Sequence, residues 1–248
     1  MGRPLGQHFL FQHSILDRIA VAACPEQVGL CIEIGPGPGG LTEFLHPRAK
    51  RLIAVELDST LAAKLRERYA ENPSVEIVEG DVLSTNLSQW GPATVCGNLP
   101  YYITSPIIEQ VLAMGPALQR AVFLVQKEVA DRLAAAPGCR DYGYLSVSTQ
   151  LFCTVERLFL VKPASFRPPP KVDSAVVRLI PRASVAVSDS KAFLRFASAC
   201  FRQKRKTLRN NLSSQYPAER LRDLPEAGLR AEQLGIPELI RLFGVLNS

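Results

Sequence analysis

Histidine and tryptophan are scarce in this chain of 248 residues, with three His and one Trp, and aromatic residues make up only 7% of it. The six cysteines (Cys24, Cys31, Cys96, Cys139, Cys153 and Cys200) form no CxxC pair and have few histidines to join them. Neither a metal site nor a disulfide framework is therefore expected, and free thiols in a reducing cytoplasm fit the pattern. No apolar run approaches the roughly 20 residues that cross a bilayer. Met1-Gly2-Arg3-Pro4-Leu5 lacks the apolar stretch of a secretory signal, and Asp17 comes too early for an acid-poor transit peptide. Internal repeats and low-complexity tracts are missing as well. What remains is 47% hydrophobic, enough to bury one large domain and a smaller one.

Charge is unevenly placed. Residues 1–180 carry 17 Lys and Arg against 17 Asp and Glu, whereas residues 181–248 carry 12 against 6, which is the whole net charge of +6. A neutral body with a basic tail suits a polyanionic partner gripped from the C-terminal side. A solubilising charge on a surface helix would give the same count.

Apolar runs at 30–34, 52–56, 75–78, 93–96 and 121–125 alternate with helical stretches such as 60–68, which predicts a parallel sheet covered on both faces. Runs at 158–161 and 175–180 have no helix between them, only Phe166-Arg167-Pro168-Pro169-Pro170, so an antiparallel hairpin is expected to close the sheet. From about Ser188 the signals are helical. The expected organisation is an α/β domain over residues 1–184 and a small all-α domain over 185–248.

Gly35-Pro36-Gly37-Pro38-Gly39-Gly40 follows the first run, and Glu56 lies about twenty residues on, which loosely satisfies a dinucleotide fingerprint. A pyrophosphate needs main-chain N–H donors, however, and Pro36 and Pro38 remove two. S-adenosylmethionine carries no phosphate. For it, Gly35 and Gly37 offer close backbone approach, Glu56 an acceptor for the ribose diol and Asp81 an acceptor for the adenine amine. Either acid alone also reads as a helix cap.

Gly97-Asn98-Leu99-Pro100-Tyr101 closes another run. Asn and Pro here make either an ordinary turn before a helix or a pocket for one planar amine, with the Asn98 oxygen and main-chain carbonyls as acceptors and the Tyr101 ring as a stacking face. An adenine extruded from a nucleic acid fits the second reading. Arg202, Lys204, Arg205, Lys206 and Arg209 put five cations in eight residues. On a helix, Arg202, Arg205, Lys206 and Arg209 share one face, as expected of a phosphate-binding surface or of a plain solvated one.

These segments together resemble the rRNA adenine N6-dimethyltransferases, the KsgA/RsmA family. The resemblance rests on Gly6-Gln7-His8-Phe9-Leu10, Glu33-Ile34-Gly35-Pro36-Gly37, Val55-Glu56-Leu57-Asp58, Gly80-Asp81-Val82 and the 97–101 pentapeptide. It continues through Gln126-Lys127-Glu128-Val129, residues 142–147, Phe166 to Ser174 and Phe201 to Asn210. It implies a class I methyltransferase (Rossmann-like) fold with a mostly parallel seven-stranded sheet, and S-adenosylmethionine as methyl donor without a metal. The implied substrate is two adjacent adenosines near the 3′ end of small-subunit rRNA, modified by a cytoplasmic monomer with a role in small-subunit biogenesis. Carried over by position, His8 (where the family more often has Asn), Leu10, Gly35, Gly37, Glu56, Asp81 and Asn98 would hold the cofactor. Asn98, Leu99, Pro100 and Tyr101 would form the adenine pocket, with Phe166 on the opposite face of the base. The alternatives are a large-subunit rRNA adenine methyltransferase of the macrolide-resistance type, a non-catalytic ribosome-assembly factor, and an NAD-dependent oxidoreductase.

Overall fold

The computed structural model describes residues 8–247; Gly6 and Gln7 of the first motif lie outside them. The elements are β1 (Phe9–Leu10), α1 (His13–Ala23), β2 (Val28–Ile34), α2 (Thr42–Leu45), β3 (Ala49–Glu56), α3 (Ser59–Arg68), β4 (Val75–Glu79), β5 (Ala93–Asn98), α4 (Thr104–Leu112) and β6 (Leu118–Gln126). They continue with α5 (Lys127–Ala134), α6 (Tyr144–Phe152), β7 (Cys153–Val161), β8 (Phe166–Arg167), β9 (Ser174–Pro181), α7 (Ser190–Cys200), α8 (Leu208–Leu212), α9 (Ala218–Arg222) and α10 (Ile236–Asn247).

Seven strands form one sheet in the order β4-β3-β2-β5-β6-β9-β7. The pairs β4–β3, β3–β2, β2–β5 and β5–β6 are parallel and β6–β9 is antiparallel. The centres of β2, β3 and β5 are continuously buried and mostly apolar, as in a parallel sheet covered on both faces. The expected hairpin strands are present, but the second of them, β9, lies inside, between β6 and β7. Burying β9 is the better use of its residues: Ala175, Val176, Val177 and Leu179 are all fully buried.

Chain order reverses between β2 and β5, so their C-terminal ends open a crevice, the usual ligand position in an open α/β sheet. Gly97 makes that closeness possible. A Cβ there would sit 2.5 Å from the Ile34 carbonyl oxygen.

Two compact units emerge. One comprises residues 1–130 and 155–181, the other 131–154 and 182–248. The second crossing falls close to the expected boundary, but residues 131–154 group with the C-terminal helices, which a boundary at 184/185 does not anticipate. The first unit packs Leu16, Ile19, Ala20, Leu45, Leu52, Val122 and Val176 into its core. The second has its own core, in which Tyr142, Val147 and Leu151 join Phe193, Phe196, Leu208, Leu239 and Leu242.

Candidate active site

Four stretches of the first unit converge on the crevice: the loop after β2, the end of β3, the turn after β5, and a two-residue ribbon in which β1 pairs antiparallel with β8. The loop is left-handed at Gly35 (φ +64°) and Gly37 (φ +58°), where side chains are strained. A Cβ on Gly37 would also strike the Phe9 ring at 2.8 Å. Its N–H groups are already spent: Gly35 donates to the Val55 carbonyl, Gly37 to Glu56 Oε2 (2.9 Å) and Gly39 to the Pro36 carbonyl. With Pro36 and Pro38 lacking donors, residues 35–39 offer nothing to a pyrophosphate, which removes the basis for an NAD site.

Glu56 is buried, and its two oxygens each accept one backbone N–H, from Gly37 and from Asp58. Each oxygen keeps further acceptor capacity. Asp81 is exposed and caps the turn at Val82 through Oδ1, which accepts from the Leu83 N–H at 2.9 Å, leaving Oδ2 as an acceptor. The cap reading and the binding reading of this residue are thus compatible. Glu56 and Asp81 line one cleft of about 470 Å³, walled by Leu57, Val82, Ile103 and Ile107. Apolar walls with two acceptors suit an adenosine.

A second cleft, of about 420 Å³, is lined by His8, Phe9, Gly35, Gly37, Asn98, Leu99, Pro100 and Tyr101. Asn98 Nδ2 donates to the His8 carbonyl (2.9 Å), which fixes the amide's orientation. The Pro100 carbonyl accepts from the Ile103 N–H and the Thr104 hydroxyl, so it caps the following helix. The Leu99 side chain is buried and its N–H is paired with the Leu124 carbonyl. The Tyr101 hydroxyl and the Ser174 hydroxyl share a hydrogen bond of 2.7 Å, and burial raises the phenol's pKa while Ser174 offsets part of the rise. The His8 ring lies 5.6 Å from that of Tyr101. Its Nδ1 is 2.7 Å from the Pro168 carbonyl, which can only accept, so Nδ1 carries the proton.

A third cleft, of about 330 Å³, is lined by Leu10, Leu16, Glu33, Gly35, Pro36 and Asn98 among others. Glu33 went without a role in the sequence, where it reads as one more strand residue. Its carboxyl is 1% exposed, its Oε2 has no hydrogen-bond partner, and burial pushes its pKa up to about 8. Thr42 opposes the rise although its hydroxyl makes no well-formed bond, and the Glu56 carboxylate adds to it.

Two expectations need correction. Phe166 is only 2% exposed and packs in the core with Leu10 and Leu16; it does not line the cleft of Tyr101, so no face of its ring is open to a base. Pairing with Leu10 across the ribbon turns it inward. The basic segment is not a helix face. α7 ends at Cys200 and α8 starts only at Leu208, capped by the Thr207 hydroxyl. The buried Asn211 amide donates to the Cys200 and Gln203 carbonyls, satisfying an end carbonyl of α7 and holding the intervening loop. Arg202 donates to the Asn211 carbonyl and Ser214 hydroxyl, and Lys204 to the Arg140 carbonyl. Arg205, Lys206 and Arg209 are exposed.

The described residues contain no His, Cys, Asp or Glu group arranged for a metal, and none of their helices is long and apolar enough to cross a membrane. All six cysteines are free.

A family model described as ribosomal RNA adenine dimethylase matches residues 2–234. A ribosomal RNA small subunit methyltransferase A of Acidobacterium capsulatum is 43% identical over 98% of this chain and 90% of its own length. A protein of the same name from Xanthomonas euvesicatoria is 45% identical over 98% and 95%. Among solved structures, a dimethyladenosine transferase from Plasmodium falciparum superposes with TM-score 0.81 at 30% identity, covering 95% of this chain and 96% of the other. The 23S rRNA methyltransferase ErmE superposes with TM-score 0.71, also at 30% identity, covering 97% and 100%.

Proposed function

This chain belongs to the ribosomal RNA adenine dimethylase family, and we propose that it transfers methyl groups from S-adenosylmethionine to N6 of two adjacent adenosines near the 3′ end of small-subunit (16S) rRNA. The small-subunit relatives are 43% and 45% identical to this chain and the large-subunit ErmE 30%, which favours this substrate over the large-subunit one. As the working unit we propose a cytoplasmic monomer acting on small-subunit precursors and contributing to their biogenesis.

The residues present fit the cofactor. Glu56 and Asp81 supply acceptors for a ribose diol and an adenine amine, between apolar walls. Gly35 and Gly37 let the backbone approach, with Leu10, His8 and Asn98 along the neighbouring clefts. When bound, S-adenosylmethionine supplies an electrophilic methyl on a sulfonium.

The observation that carries the reading is Asn98. Because its Nδ2 is tied to the His8 carbonyl, the side chain presents Oδ1 to the cleft as an acceptor. The Pro100 carbonyl is occupied by the helix start, which leaves the Leu99 carbonyl as the second acceptor of the turn. An adenine N6 lone pair is delocalised into the ring and is a poor nucleophile. Two acceptors on its hydrogens draw the amine towards tetrahedral geometry, free the lone pair and meet the positive charge that develops on nitrogen. Pro100 holds the turn, and Tyr101, anchored through Ser174, gives the base a stacking face. In-line displacement asks chiefly for alignment, which these fixed groups provide.

Arg205, Lys206 and Arg209 serve the rRNA backbone in this account, while Arg202 and Lys204 hold the loop that carries them. Asn98→Ala tests the central assignment. Methyl transfer should fall by about a hundredfold or more, and near-normal turnover of a folded variant would remove Asn98 from the mechanism.

A further inference from the structure

The β1–β8 ribbon has two faces of different character. Leu10 and Phe166 are cross-strand partners and point into the core. By strand alternation Phe9, its partner Arg167 and Phe11 lie on the other face, and the Phe11 N–H extends the pairing to the Ser165 carbonyl. This outer face starts inside the cleft of Asn98 and Tyr101, where Phe9 is a wall, and leads outward to Phe11, which is 42% exposed. The Arg167 guanidinium lies over the Phe11 ring, 4.5 Å from its centroid. Pro168, the next residue, and Lys171, four residues along the chain, are also exposed.

We propose that Phe11 and Arg167 form a subsite for the base of the nucleotide next to the adenosine being methylated. The inference rests on the rRNA reading above and adds to it a place for the flanking residue. A single exposed Phe is ordinary on a protein surface; what sets Phe11 apart is the guanidinium over its ring and its continuity along the ribbon with Phe9 of the cleft wall. Arg167 covers one side, and a guanidinium stacked on a ring is itself a flat cationic platform on which an unstacked base lies well. Continuity with the pocket wall at Phe9 selects the occupant. A base flipped into the cleft leaves its neighbour unstacked outside it, in the direction in which the ribbon's outer face runs from Phe9 to the exposed Phe11 and its guanidinium. The competing reading is that Arg167 only shields Phe11, its stem and guanidinium lying on the ring with no substrate role.

The test is steady-state methyl transfer from labelled S-adenosylmethionine to undermethylated small ribosomal subunits, together with S-adenosylmethionine affinity by calorimetry and a thermal melt. Phe11→Leu keeps an apolar group under Arg167 but removes the ring; Arg167→Lys keeps the charge but removes the plane. Each should raise KM for the subunit about tenfold, with kcat, cofactor affinity and melting temperature close to wild type. Phe11→Trp should stay within about twofold, and the double variant should cost less than the product of the single effects. An unchanged KM in Phe11→Leu overturns the subsite. So does a neutral Arg167→Lys, which would reduce Arg167 to a phosphate contact. Failure of wild-type protein to methylate the subunits would instead overturn the underlying rRNA reading.

Discussion

Glu33 is a buried carboxyl whose Oε2 has no protein partner, and this makes the folded chain sensitive to pH. Its ordinary pKa is 4.5 and burial lifts it to about 8 in the folded protein. Between those values the folded form holds a proton that the unfolded chain has released, so stability falls as pH rises through the interval, by at most about 1.4 kcal/mol per unit. Glu33→Gln keeps the shape and removes the titration. Denaturant melts at pH 5 and pH 8 should show the variant gaining stability relative to wild type at the higher pH, by a few kcal/mol at most on this linkage. A difference independent of pH would mean that Glu33 is already ionised in the fold. Asn98 and Tyr101 differ: each side chain is held by one hydrogen bond, to the His8 carbonyl and to Ser174, and the raised phenol pKa keeps Tyr101 neutral near pH 7.

At the scale of elements, the site depends on two strands ending close together. Gly97 lets β5 pass the Ile34 carbonyl where β2 ends, and any side chain there must push the strands apart. Gly97→Ala should cost about 1–3 kcal/mol by denaturant unfolding and lower turnover as well, since Asn98 is the next residue. A neutral substitution would show that the strand ends are not rigidly spaced. The same scale explains what sequence periodicity could and could not reveal. Strands β2 to β6 stand out because their apolar runs are long and bounded by helical stretches. A ribbon of two residues per strand has no period to detect, so the inward turn of Phe166 and the outward turn of Arg167 could not be read from it. The loop between α7 and α8 carries a helix-like spacing of cations, but the Thr207 cap and the Asn211 bonds to residues eight and eleven positions back decide its shape. That Glu56 and Asp81 come to line one cleft could be anticipated because they follow the ends of neighbouring parallel strands. Glu33 was not, because nothing local distinguishes a buried unpaired carboxyl from an edge residue.

For the whole molecule, the excess positive charge belongs to residues 181–248, and three of its cations, Arg205, Lys206 and Arg209, stand exposed on one loop and the short helix after it. Reversing Arg205 and Lys206 to Glu should weaken rRNA binding at all sequences alike and reduce the slope of log affinity against log salt by about 2, with cofactor affinity unchanged. An unaltered slope would place the backbone contact elsewhere. The assignment of residues 131–154 to the second unit also shows where a reading by composition stops: that segment is as neutral as its surroundings, and only the packing of Tyr142, Val147 and Leu151 with the C-terminal helices sets it apart. The central claim is the chemistry at Asn98, and mapping the product tests it most directly. Purified protein, labelled S-adenosylmethionine and undermethylated ribosomal subunits should yield label as N6,N6-dimethyladenosine at two adjacent positions near the 3′ end of small-subunit rRNA. Label in large-subunit rRNA, at another atom of adenine, or in no RNA would contradict it.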